Sequence, residues 1–111
     1  MVASQDNPEG EGNVIFKYTD EQAIRDGVLA DITFLQIRAP NNKIVNRATA
    51  SIAERCLILG SVYDPRKVAK IIEAANLDAG DGWFKGFWEG DEIWLVPNEV
   101  GGMTVMFPSD Y

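Results

Sequence analysis

The stretch from Phe16 to Asp31, Phe-Lys-Tyr-Thr-Asp-Glu-Gln-Ala-Ile-Arg-Asp-Gly-Val-Leu-Ala-Asp, constrains the fold more than any other, because it spells strand, cap, short helix, stop and re-entry without a gap. Thr19 can cap the helix, and Gln22 stands three residues on, where its side chain can reach back to the cap's N–H. Gly27 ends the helix, since the residue after a last turn often needs a positive φ that glycine adopts without a Cβ clash. These residues define an architecture and carry no chemistry by themselves.

The chain has 111 residues, 46% of them hydrophobic and 24% charged, which suits one domain with a single core. Residues 1–12 are small, polar and acidic and predict a flexible tail, leaving 13–111 as the folded domain. No apolar run is long enough for a membrane helix, and acids stand where a secretory leader needs basic residues, so a cytoplasmic protein is expected. Histidine is absent, which removes Ser-His-Asp triads, Cys-His dyads and histidine metal centres. The single cysteine, Cys56, allows no intrachain disulfide and no closed cysteine zinc site.

A net charge of −7 opposes direct binding to nucleic acid or an anionic membrane. The charge is uneven: residues 1–35 carry seven acids and two bases, 36–75 three acids and seven bases, and 76–111 seven acids and one base. The acidic ends therefore flank a basic middle.

The pattern predicts an α+β fold: a short N-terminal strand and helix, then two middle helices packed on a small C-terminal antiparallel sheet, with the helices on one face. Val14–Tyr18 is β-branched and aromatic, as in a strand. Ile32, Phe34, Leu35 and Ile37 form either a strand or an irregular buried segment before the Pro-Asn-Asn loop. Ala48, Ile52, Cys56 and Leu59 recur at helical spacing, with Gly60 as the stop. Asp64 and Pro65 open a second helix whose buried stripe is Val68, Ile71, Ile72 and Ala75. Asn76 to Gly82 reads as a polar turn. Trp83–Trp88, Glu92–Val96 and Met103–Phe107 follow as two or three strands, the last two joined through Asn98–Gly102, with Ile93 and Leu95 on one face and Trp94 and Val96 on the other.

Cys56 falls on the apolar helix face with no histidine to activate it, so it reads as a buried small hydrophobe. Asp26 and Asp31 flank the Gly-Val-Leu turn, where they either converge on a ligand or bond local backbone N–H groups. Asp78, Asp81, Glu89, Asp91 and Glu92 depart from the Asp-x-Asp-x-Asp-Gly spacing of calcium loops, so no metal or other cofactor is implied. Trp83, Phe84, Phe87, Trp88 and Trp94 concentrate aromatic surface within twelve positions. Core and interface both draw on such residues. Trp83, Phe87 and Trp88 with Glu89, Asp91 and Glu92 are the candidate partner-binding set, an aromatic anchor inside an acidic rim.

Ala23, Ile24, Asp26, Gly27, Val28, Leu29 and Asp31, after an aromatic-x-Tyr-Thr start, together with the closing Trp-Leu-Val and Met-Thr-Val-Met-Phe-Pro-Ser-Asp-Tyr, form a recurring pattern. It resembles an uncharacterised family of small phage- and plasmid-encoded proteins. The resemblance brings no activity or catalytic residues. It implies an accessory protein that binds a host or phage protein with a basic surface, in its sharpest form an inhibitor of a nucleic-acid-handling defence complex of the anti-CRISPR or anti-restriction type. A non-enzymatic role is expected. The alternatives are a small-molecule site or carboxylate enzyme with a pocket built on Trp83, Trp88 and Trp94, and a homodimeric structural module.

Overall fold

The computed structural model describes residues 19–58 and 62–111. The expected tail, the strand at 14–18 and the helix stop at Gly60 lie outside them. The first described element is α1 (Asp20–Arg25), and its capping box is formed: the Gln22 N–H donates to Thr19 Oγ1 at 3.1 Å while Gln22 Oε1 accepts from the Thr19 N–H at 3.3 Å. Gly27 follows at φ +78°, the left-handed conformation the helix stop requires.

The chain then runs β1 (Leu29–Asp31), a 3-10 turn at Thr33–Leu35, β2 (Val45–Thr49) and α2 (Ala50–Arg55). A small antiparallel pair, β3 (Leu57–Ile58) and β4 (Val62–Tyr63), precedes α3 (Pro65–Ala74). Asp64 caps α3 by accepting from the backbone N–H groups of Arg66 and Lys67. The rest is β5 (Leu77–Gly80), β6 (Trp83–Trp88), β7 (Asp91–Pro97) and β8 (Met103–Met106), closed by a 3-10 turn at Pro108–Asp110.

The α+β class holds, but the sheet is larger than the C-terminal hairpin the pattern predicts. Six strands lie in the order β1-β2-β8-β7-β6-β5, with β2 parallel to β8 and every other neighbouring pair antiparallel. Two expected elements are corrected. The helix expected from Ala48 shortens to Ala50–Arg55, because Val45–Thr49 enters the sheet between β1 and β8 and Ala48 faces the core as a strand residue. The turn expected at Asn76–Gly82 is instead an edge strand, and only Asp81 and Gly82 turn the chain.

The helices also divide between the two faces instead of sharing one. Ile52 and Cys56 from α2 and Val68, Ile71 and Ile72 from α3 pack with Phe84, Ile93, Leu95, Met103 and Val105 in the main core. This is the inner face. Helix α1 lies against the opposite, outer face, where its Ala23 is buried and Asp20 and Ala23 border a cleft with Val96, Thr104 and Met106. Strand alternation explains the split, since β7 and β8 are apolar on both sides and each side needs a cover. Gly86 on β6 admits the backbone of α3: a Cβ there would collide with the Ala74 carbonyl oxygen.

A bulge between Val45 and Arg47 leaves Asn46 to tie down the β7–β8 loop. Asn46 Oδ1 accepts from Asn98 Nδ2 at 2.8 Å, and Asn98 Oδ1 accepts from the N–H groups of Val100 and Gly102. Nearly buried polar side chains thus pair with loop backbone, as burial demands.

Candidate interaction face

The register sets which side chains share the outer face. Across β5, β6 and β7, Leu77 lies opposite Lys85, Lys85 opposite Trp94, and Phe87 opposite Glu92. Trp83 belongs to the same row as Lys85 and Phe87 by the two-residue alternation of a strand. Leu77 is thus the diagonal neighbour of both Trp83 and Phe87, within reach of long side chains.

Part of this face is closed. Trp83, Trp94 and Tyr111 meet edge to face, with ring centroids 5.4, 5.0 and 5.7 Å apart. Asp110 positions Tyr111 by accepting from Thr49 Oγ1 at 2.7 Å, Ser51 Oγ at 3.1 Å and the Phe107 N–H at 3.1 Å. Glu92 Oε2 accepts from Trp94 Nε1 at 2.8 Å, which fixes the indole and holds a carboxylate beside Phe87.

The remainder is open. Phe87 is 65% exposed and Leu77 56%, and they adjoin the aromatic cluster on one side and the free edge of β5 on the other. Asp81 and Glu89 are exposed in the turns at the two ends of β6 and Asp78 is exposed across from Phe84 on the other side of the sheet, and among the described residues none of the three forms an ion pair.

The sequence-predicted partner set does not converge on one surface. Trp83, Phe87 and Glu92 share the outer face. Trp88 points inward, packs against the main core, and lies under the Lys67 ammonium at 5.9 Å. Asp91 pairs with Arg55 of α2 at 2.9 Å, and Glu89 sits in the β6–β7 turn at φ +52°. An aromatic pocket of Trp83, Trp88 and Trp94 is therefore divided by the sheet. The acids at 78 and 81 and those at 89–92 stand at opposite ends of β6, about 17 Å apart for a strand of that length.

Asp26 is the C-cap of α1 and is exposed. Asp31 bonds locally: its Oδ1 accepts from Thr33 Oγ1 at 2.6 Å and the Thr33 N–H at 3.0 Å, and pairs with Arg47 at 3.1 Å. The Thr33 hydroxyl, then its N–H, and the nearby Arg47 hold the Asp31 carboxyl below its ordinary value. Burial pushes the Cys56 thiol up. Leu77 is the residue that sequence reasoning missed, because it hid in a polar Asp- and Gly-rich stretch.

Among the described residues no helix is long and apolar enough to cross a membrane. No protein-family model matches the chain, and comparison with curated proteins and with solved structures likewise gives no match.

Proposed function

We propose that this protein is a non-enzymatic binding module that grips a basic surface on another protein through the open part of its outer sheet face. The observation that carries the reading is the pairing of exposed Phe87 with exposed Leu77 beside a fixed aromatic cluster. Apolar anchors inside a polar rim are the usual anatomy of an interface. Glu92 on this face and Asp81 in the turn between β5 and β6 outnumber Lys85, so the complementary surface is cationic. The resemblance to phage and plasmid proteins extends the proposal to inhibition of a host nucleic-acid-handling defence complex.

The test is affinity capture from lysate of the host cell with the wild-type chain and with Phe87→Ala, at low and high salt. A basic protein retained by the wild type, lost from the variant and released by salt is the expected result. Equal retention by both chains at both salt concentrations overturns the reading.

A further inference from the structure

The cleft between α1 and the outer face of the sheet has a buried floor and an exposed rim. Ala23 of α1, Val96 of β7, and Thr104 and Met106 of β8 make the floor, and Pro97 and Glu99 stand at the rim, around a space of about 180 Å³. The cleft lies over β7 and β8, away from exposed Phe87 and Leu77 on β6 and β5, and is independent of the interaction face proposed there.

One polar group on the floor holds an unspent donor. Asn98 Oδ1 accepts from the backbone N–H groups of Val100 at 3.1 Å and Gly102 at 3.0 Å, which fixes that atom as the oxygen, since a backbone N–H only donates. Asn98 Nδ2 is therefore the nitrogen, and it donates to Asn46 Oδ1 at 2.8 Å and to Thr104 Oγ1 at 3.1 Å. Thr104 is thus the acceptor in its bond to Asn98, and its own hydroxyl proton needs another partner. Among the described residues that proton meets no acceptor, although Thr104 is only 4% exposed. Buried donors are seldom left unpaired. A water at that point finds Thr104 and little else: Asn98 is fully engaged and the other side chains of the floor are apolar, whereas a buried water needs about two to four polar partners.

We propose that the cleft binds a compact neutral molecule with an apolar body and one hydrogen-bond-accepting oxygen, of the class of small cyclic ketones, lactones and amides. The oxygen takes the Thr104 proton, and the body rests on Ala23, Val96 and Met106. Size sets one limit: an apolar cavity of about 150 Å³ takes up benzene, so about 180 Å³ holds a six-membered ring with a short substituent. Charge sets the other. Asp20 and Asp31 share Arg47, two carboxylates against one guanidinium, and Glu99 adds a further carboxylate at the mouth. Anions are therefore repelled, and an ammonium brings no acceptor for Thr104.

The experiment is NMR titration of the full chain, labelled at its valine and methionine methyl groups, with cyclohexanone, cyclohexylamine, cyclohexanecarboxylate and methylenecyclohexane, which keeps the shape of the ketone without its oxygen. Cyclohexanone should shift the Val96 and Met106 signals saturably, as one site, and bind more tightly than the amine or the carboxylate. Thr104→Val, of nearly the same volume, should weaken cyclohexanone about five-fold and leave methylenecyclohexane no weaker, whereas Thr104→Ser should keep the wild-type preference. Absence of a saturable shift at Val96 and Met106 overturns the proposal. So does an equal loss of both ring probes in Thr104→Val, which assigns the effect to the shape of the cleft. An amine or carboxylate that binds the wild-type chain as tightly as the ketone also overturns it, and this comparison holds even where a variant fails to fold.

Discussion

Arg47 of β2 holds Asp20 of α1 by two parallel hydrogen bonds, Nε to Oδ1 at 2.8 Å and Nη2 to Oδ2 at 2.9 Å. The side chains are only 11% and 15% exposed, so the pair works away from bulk water. Its Nη1 also donates to the Asn46 carbonyl at 2.9 Å and meets Asp31 at 3.1 Å, and Asp20 raises the pKa of the guanidinium further. A short helix with one buried residue has little apolar area to hold it down, so this clamp fastens α1 to the outer face. Arg47→Ala should destabilise the fold by about 2–4 kcal/mol, because it strands the mostly buried Asp20 carboxylate, and Asp20→Ala by less, about 1–3 kcal/mol, because Asp31 still pairs with Arg47. Urea unfolding checks this, and a loss below about 0.5 kcal/mol in both variants would show that α1 is held by other means.

The Asp31 carboxyl titrates below its ordinary value in the folded state, held there by Thr33 and Arg47. Its contribution to stability is therefore complete above the unfolded carboxylate value and disappears as pH falls through the lower folded value. Between about pH 4 and pH 2 the wild-type chain should lose more stability than Asp31→Asn, which has no such proton to take up. Denaturation midpoints across that range are the measurement, and parallel profiles for the two chains would contradict the assignment.

Two glycines separate two causes of strain. Gly27 has a positive φ and open space around it, so Gly27→Ala should cost about 1–2 kcal/mol for the left-handed backbone alone. At Gly86 an added Cβ would strike the Ala74 carbonyl oxygen and lie 2.6 Å from its carbonyl carbon, and neither atom can rotate away. Gly86→Ala should cost more, about 2–4 kcal/mol, by lifting α3 from the sheet. Equal losses in thermal unfolding would mean that α3 rides on β6 less closely than these distances require.

Local chemistry is legible in the sequence wherever one residue decides a conformation. Thr19 with Gln22, Gly27, and Asp64 with Pro65 mark their helix ends as expected. Long-range pairing is not legible. Four of the five residues of β2 are buried, so the strand shows neither clean alternation nor a polar side, and its parallel partner β8 lies far along the chain. β5 escapes notice for the opposite reason, being exposed along its whole length. The candidate face is half readable: the aromatic and acidic composition picks out Trp83, Phe87 and Glu92, but it also gathers in Trp88, which strand alternation sends to the other side. Nothing in the sequence announces the Arg47–Asp20 pair.

Cys56 is the C-cap of α2, 1% exposed, with its thiol pKa raised by burial. A thiol that is both inaccessible and protonated is a poor nucleophile. Labelling with a thiol reagent at neutral pH should proceed at the rate at which the core opens, and added urea should accelerate it. Fast labelling of the native chain would place the sulfur at the surface.

Phe87 and Trp88 are sequence neighbours with opposite consequences. Phe87 stands 65% exposed on the outer face, whereas Trp88 is packed against the core beneath Lys67. Phe87→Ala removes little that folding buried and should change stability by no more than about 0.5 kcal/mol. Trp88→Ala opens a gap beside α3 and should cost about 3 kcal/mol or more, toward the lower end of values for fully buried aromatics because the ring is half-buried. Partner capture should show the reverse order: Phe87→Ala loses it, while Trp88→Phe, which keeps the packing, retains it. Changing Asp81 and Glu92 together to Lys reverses the rim charge and should slow association more than it speeds dissociation, since rim charges act mainly on encounter. Surface plasmon resonance on the captured partner separates the two rates. If Phe87→Ala and the charge reversal both leave the rates unchanged, the partner does not use this face and the open sheet surface has another role.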